Sequence, residues 1–159
     1  MIETIVLKVL ETLNLRELRF LAIFPNVEFE DELNINCLQN CKLLTHLEIN
    51  SQKINDNLFT EIDSIVPQLK VLNITTGEEI TDNTIECLSK LKNLEAMSFG
   101  YIFEYQSKFE FKPITDSRLM SVINNCQNLK SIQFHKRPNI TIDSLIENPK
   151  HISNIIFKT

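Results

Sequence analysis

Cysteine, histidine and aspartate are the side chains of this sequence that could ligate a metal, relay a proton or attack a substrate. Cys37 and Cys41 stand one helical turn apart, a spacing that metal sites use. His46, His135 and His151 are widely separated along the chain. Asp56, Asp82 and Asp116 recur in one local setting and could pass for an acidic catalytic set. Gly77 and Gly100 are the two glycines, too few for a phosphate-cradling or dinucleotide-binding turn. No nucleophile has a base beside it in a recognisable arrangement. What the cysteines, histidines and aspartates can do therefore depends on the elements that position them.

Those elements repeat. The spacing apolar-x-x-apolar-x-apolar occurs at Leu15-Leu18-Phe20, Leu44-Leu47-Ile49, Leu69-Leu72-Ile74, Leu94-Met97-Phe99, Leu129-Ile132-Phe134 and Ile152-Ile155-Phe157. A second signature lies between the triplets: Phe29-Glu30-Asp31, Ile54-Asn55-Asp56, Ile80-Thr81-Asp82, Ile114-Thr115-Asp116, and more loosely Ile140 with Asp143. Alternation at the end of each triplet predicts a strand. Each Asp is expected to N-cap a helix, its carboxylate accepting a free backbone N–H. Leu58, Ile62 and Ile65 then mark one helix face, and Leu119, Val122, Ile123 and Cys126 another. Ile2, Ile5, Val6, Val9, Leu10 and Leu13 predict that residues 1–14 are the helix of an incomplete first repeat. No unit buries its apolar face alone; stacking makes one continuous core.

This register redefines the chemistry. All four cysteines (Cys37, Cys41, Cys87, Cys126) fall at core positions, which predicts reduced, buried thiols. His46 and His135 come three strands apart, about 15 Å, too far to share a zinc ion. The aspartates belong to separate units. No catalysis, no metal and no cofactor is expected.

Composition agrees with one folded domain over residues 1–159. The sequence is 43% hydrophobic and 23% charged, with a formal net charge of −5, and shows no clustered Lys and Arg to meet a phosphate backbone, so nucleic acid is not expected. No apolar run reaches the roughly 20 residues of a membrane span, so no membrane insertion is expected. The N-terminal residues lack the basic flank and cleavage site of a secretory signal. An intracellular location, cytoplasmic or nuclear, is the expectation, with the mitochondrial matrix as alternative. Two N-x-T triplets, at Asn73 and Asn139, are read as chance.

Cys41-x-x-Leu44-x-x-Leu47-x-Ile49 and Cys126-x-x-Leu129-x-x-Ile132-x-Phe134, with Ile80-Thr81-Asp82 and Ile114-Thr115-Asp116, resemble the cysteine-containing leucine-rich repeats of F-box proteins. Val66, Leu91 and Pro149 depart from that pattern at the leading Cys. The resemblance implies an α/β leucine-rich-repeat solenoid of about 5–6 repeats, with a curved parallel sheet on the concave face and helices on the convex face. It also implies a non-enzymatic protein–protein interaction module, the substrate-recognition region of an F-box-type ubiquitin-ligase adaptor, although no F-box motif occurs in the sequence. The alternative is a free-standing assembly or structural subunit of a multi-protein complex, mitochondrial in some relatives.

In such a solenoid the residues between the apolar positions line the concave face. Three columns result: Glu17, His46, Val71, Ala96, Ser131, Asn154; Arg19, Glu48, Asn73, Ser98, Gln133, Ile156; and Leu21, Asn50, Thr75, Gly100, His135, Lys158. The partner is expected to be a protein contacting His46, Glu48, Val71, Asn73, Thr75, Ser98, Gln133 and His135. Two connections look expanded, 9 residues from Phe20 to Phe29 and 15 from Phe99 to Ile114, against 5 or 6 elsewhere. The longer, an aromatic-rich insertion at 100–113, brings Tyr101, Phe103, Tyr105 and Phe109 to the same rim as Phe24 of the shorter. The apolar start and the Ile155-Ile156-Phe157 strand at the end leave three readings: a fragment, an end covered by a partner, or end-to-end self-association.

Overall fold

A computed structural model describes residues 20–23, 35–51, 54–76, 80–101, 114–135 and 152–158. Six strands form one sheet: β1 (Phe20–Ile23), β2 (His46–Ser51), β3 (Val71–Thr76), β4 (Ala96–Tyr101), β5 (Ser131–His135) and β6 (Asn154–Lys158). Each strand pairs in parallel with its neighbour in sequence, so spatial order equals chain order. Neighbouring parallel strands cannot be joined by a hairpin and need a crossover. The crossovers carry the 3-10 turns Ile35–Leu38 and Asp56–Phe59 and the helices α1 (Ile62–Ile65), α2 (Asp82–Leu88) and α3 (Asp116–Asn125). The helical pieces touch in the same order: α1 meets the Ile35–Leu38 turn, α2 meets α1 and the Asp56–Phe59 turn, and α3 meets α2. The protein is an α/β molecule with a parallel sheet.

Register explains why one face is buried. Leu47, Leu72, Met97 and Ile132 align across β2–β5, as do Ile49, Ile74, Phe99 and Phe134, and each of these is at most 1% exposed. Leu44, Leu69, Leu94 and Leu129, just before the strands, are also buried, as are Ile54, Ile80 and Ile114 just after the connections. The rings of Phe99 and Phe134 stack at 5.7 Å, a separation at which aromatic pairs add to simple area burial. Truncating one such core residue to Ala costs about 2–5 kcal/mol.

Three expectations need correction. First, β1 pairs Phe20 with His46, Leu21 with Leu47, Ala22 with Glu48 and Ile23 with Ile49. The first triplet is therefore Leu18-Leu21-Ile23, not Leu15-Leu18-Phe20. Both fit the apolar spacing, but only Leu18 stands 26 residues before Leu44, close to the common period. In register, Phe20 and Ala22 rather than Glu17 and Arg19 stand opposite His46 and Glu48, and Leu21 stands opposite Leu47. From Ile23 to Phe29 is then 6 residues, so the first connection is of ordinary length. Residues 24–34, which make up that connection, lie outside the described residues.

Second, Leu58, Ile62 and Ile65 are buried as expected but do not share one helix. The 3-10 turn ends at Phe59, and Glu61 adopts the left-handed region at φ 64 before α1 begins. Such a conformation costs an L-residue about 1–2 kcal/mol; seating Leu58 and Phe59 as well as Ile62 and Ile65 in the core offsets it.

Third, the aspartates do not cap their own helices. The N-caps are Asn55, Thr81 and Thr115, and Asp56, Asp82 and Asp116 are the first residues inside. The Asp56 carboxylate reaches forward to the next unit. It accepts from the Thr81 N–H at 3.0 Å, from the Thr81 hydroxyl, and from the buried Thr84 hydroxyl at 2.6 Å. Asp82 repeats this on Thr115, accepting from its N–H and its hydroxyl at 2.7 Å each. The carboxylate thus holds the next unit's cap in place, and Thr81 in turn accepts from its own helix at Asn83 N–H, 3.2 Å away.

Candidate functional site

Alternation in β2–β5 sends every second side chain away from the core. On β3 the pattern is strict, with Val71, Asn73 and Thr75 half-buried and Leu72, Ile74 and Thr76 buried. Pairing sets the outward residues side by side. Val71 faces His46 on β2 and Ala96 on β4, Asn73 lies between Glu48 and Ser98, and Thr75 between Asn50 and Gly100. Ser131 and Gln133 continue the first two columns on β5, and Asn154 and Ile156 on β6. The structure thus brings together His46, Glu48, Val71, Asn73, Thr75, Ser98 and Gln133 on one half-exposed face, with His135 at the end of β5.

This face is neutral and hydrogen-bonding. Glu48 is the one fixed charge among its described positions on β2–β5. Asn73 and Gln133 supply amides, and Thr75, Ser98 and Ser131 supply hydroxyls. The Thr45 hydroxyl lies 2.9 Å from the His46 Nδ1. Gly100 is buried despite its outward register: a Cβ there would come within 3.3 Å of the Thr75 hydroxyl. The Thr75 side chain lies over Gly100 at this rung, in the space that a Cβ would need. Such a surface can bind a partner by shape and polar contacts.

Tyr101 pairs with Thr76 and ends β4; with Gly100 it belongs to the strand, so the insertion starts after Tyr101 rather than at residue 100. Phe24, Phe103, Tyr105 and Phe109 lie outside the described residues.

Two edges flank the face. At the strand C-terminal ends, the Asp56 and Asp82 contacts join successive units, and the Thr76 hydroxyl donates to the Ile54 carbonyl at 3.2 Å. Burial alone would raise the Asp56 pKa, but the hydrogen bonds from Thr81 and Thr84 outweigh it and hold the carboxyl below its ordinary range. At the strand N-terminal ends, the helix-to-strand segments are clamped by side-chain amides: Asn93 donates to the Pro67 carbonyl at 2.9 Å and Asn128 to the Lys92 carbonyl at 3.0 Å. Sequence reasoning missed both asparagines. Each stands immediately before a core Leu of its triplet, a recurrence that could have pointed to them.

Glu95 on this edge is paired with Lys70 at 2.9 Å and lies 3.9 Å from Lys130. The Lys70 hydrogen bond, with the charge of both lysines, keeps its carboxyl below the usual carboxylate range.

The cysteines are free thiols; Cys37, Cys41 and Cys126 are buried, whereas Cys87 is only partly covered at the core margin. The Cys126 thiol lies 3.6 Å from the Leu88 carbonyl and 3.7 Å from that of Ser89, and burial pushes its pKa up to about 11. Burial likewise raises Cys41 and Cys87. Among the described residues, no three His, Cys, Asp or Glu side chains converge to hold a metal ion. No helix of the described residues is long and apolar enough to cross a membrane. No protein-family model matches the chain, and no curated protein matches it.

Proposed function

We propose that this protein is a short leucine-rich-repeat solenoid and acts as a protein-recognition module, without catalysis of its own. The observation that carries this reading is the aligned outward face of β2–β5. Side chains without a fixed charge stand at equivalent rungs, and Glu48 alone interrupts them. Such a face desolvates at low cost, and repeat stacks present it as one extended surface. The sequence-order parallel sheet, the row of helical pieces and the inter-unit contacts of Asp56 and Asp82 support the solenoid reading. Within this class the substrate-recognition arm of an F-box-type ubiquitin-ligase adaptor is the leading assignment, resting on the cysteine-containing repeat pattern. A subunit of a stable assembly is the alternative.

A binary interaction screen comparing wild type with Asn73→Arg tests the surface. Arginine at the centre of the neutral face is expected to abolish the interactions of the wild-type protein while circular dichroism stays unchanged. If every recovered interaction survives Asn73→Arg, the binding face lies elsewhere. Affinity purification separates the two assignments: a cullin-ligase scaffold supports the first, and one constant multi-subunit complex replaces it with the second.

A further inference from the structure

The helix-to-strand edge is strongly charged, and recognition by the sheet face leaves it unused. Segments 39–45, 66–70, 89–95 and 126–130 run side by side there. The Lys70 N–H donates to the Thr45 carbonyl, Glu95 N–H to Lys70, and Lys130 N–H to Glu95. They carry Lys42, Lys70, Lys90, Lys92 and Lys130, all exposed, against one carboxylate, Glu95. In a chain of net charge −5 this is a local reversal of sign. Glu95 engages Lys70 and Lys130, and the Lys42 ammonium donates to the Ser64 carbonyl at 2.7 Å. Lys90 and Lys92 form no ion pair with another described residue.

Architecture explains only part of this row. A lysine just past a helix C-terminus gains from the helix dipole, which accounts for Lys90, two residues beyond α2. Lys92, Lys70 and Lys130 stand further on, against the strand starts, where a sheet's small net dipole offers little. The same edge holds Leu43, 48% exposed and the one exposed large hydrophobic side chain among the described residues. In the next three units its position is taken by Gln68, Asn93 and Asn128. An apolar side chain where the repeat otherwise places an amide does not serve the stack.

We propose that this edge docks an acidic segment of a partner protein, an extended run of Glu or Asp crossing the rungs with an apolar residue against Leu43. The Lys42 and Lys130 segments are three rungs apart, about 14 Å at the usual strand spacing, which four or five extended residues span. A protein segment fits better than a nucleic acid. The four segments hold no Arg to fork a phosphate and no aromatic ring to stack a base.

Fluorescence anisotropy with labelled hexaglutamate, and with the same peptide carrying one leucine, tests the proposal on the full chain. Hexaglutamate is expected to bind at low salt and to weaken steeply toward physiological ionic strength. Lys90→Gln with Lys92→Gln is expected to weaken it about fivefold, since two exposed charge pairs together contribute on the order of 1 kcal/mol. The leucine peptide is expected to bind more tightly, and Leu43→Ser to remove that gain. Unaltered melting of the variants excludes misfolding. Absent binding, or binding indifferent to salt or to the double substitution, overturns the basic edge as a docking site. A leucine peptide no tighter than hexaglutamate removes Leu43 from it. Tighter binding of a short DNA duplex or of phosphatidylserine vesicles transfers the edge to another class of partner. None of these readouts depends on Asn73, so the edge and the sheet face fail independently.

Discussion

The two edges of the sheet treat charge in opposite ways. At the strand C-terminal ends, the acidic groups of Asp56 and Asp82 are spent inside the molecule, each accepting from the cap of the following unit. At the strand N-terminal ends the amides of Asn93 and Asn128 join successive units, Lys42, Lys70 and Lys130 reach a carbonyl or Glu95 of a neighbouring unit, and Lys90 and Lys92 stand exposed with no ion pair to another described residue. A charge engaged by its own fold is architecture, and removing it should cost stability. A charge held outside the joints is available to something else, and removing it should cost stability almost nothing. The contrast can be broken by substitutions on either side.

The largest effect is expected at Asp56. Asp56→Ala leaves the buried Thr84 hydroxyl and the Thr81 N–H without their acceptor, and a lost acceptor of this kind costs about 2–4 kcal/mol. Chemical denaturation would register it as a lower midpoint with an unchanged slope. Asp56→Asn, which keeps one carbonyl acceptor, should recover part of the loss. A wild-type midpoint for Asp56→Ala would mean that the joint is ornamental and the two edges are alike.

Acidification should erase the same difference gradually. The folded-state pKa of Asp56 is depressed, so its carboxylate contributes stability that is complete above the unfolded value, about 3.9. That contribution is lost as pH falls through the lower folded value. The gap between wild type and Asp56→Asn should therefore be constant near neutrality and close below about pH 4. A gap that widened in acid would reverse the sign and exclude the hydrogen-bonded carboxylate as its source.

The period and the apolar triplets were legible because burial of one strand face writes itself into residue type at every rung. Leu47, Leu72, Met97 and Ile132 could be aligned before any coordinates, and so could the outward residues between them. The first strand was misaligned because Leu15–Ile23 contains two overlapping triplets, and type alone does not say which one pairs. The Asp role was misread for a different reason. An Asp beside a helix start satisfies the local rule for a cap, but here Asn55, Thr81 and Thr115 occupy the cap itself, and the carboxylates of Asp56 and Asp82 find their donors 25 and 33 residues on. Local sequence reports the helix start; it does not report which unit the side chain serves. The lysine edge escaped notice because its members are scattered in sequence and gather only when the units are laid side by side.

On the amide-clamped edge, Cys126 offers an intermediate effect. Its thiol is buried and donates weakly to the Leu88 and Ser89 carbonyls, and Val66, buried likewise, occupies the equivalent place two units earlier. Cys126→Val should cost under about 1.5 kcal/mol, the usual range for a volume-preserving core swap. With its pKa raised to about 11, the thiol should also resist a disulfide-exchange reagent at pH 8 until denaturant is added. Rapid modification of Cys126 in the folded protein would show that this joint opens on its own.

The smallest effect belongs to the lysines, and it decides the comparison. Lys90→Gln and Lys92→Gln remove two exposed charges that bridge no unit, so the double variant should keep its stability within about 0.5 kcal/mol. Salt should barely move the wild-type midpoint through these residues, because exposed charges contribute little and are screened. Suppose instead that the double variant lost stability comparable to Asp56→Ala. The lysines would then be joints of the stack, both edges would be spent on the fold, and no charge would be left over for a partner to find.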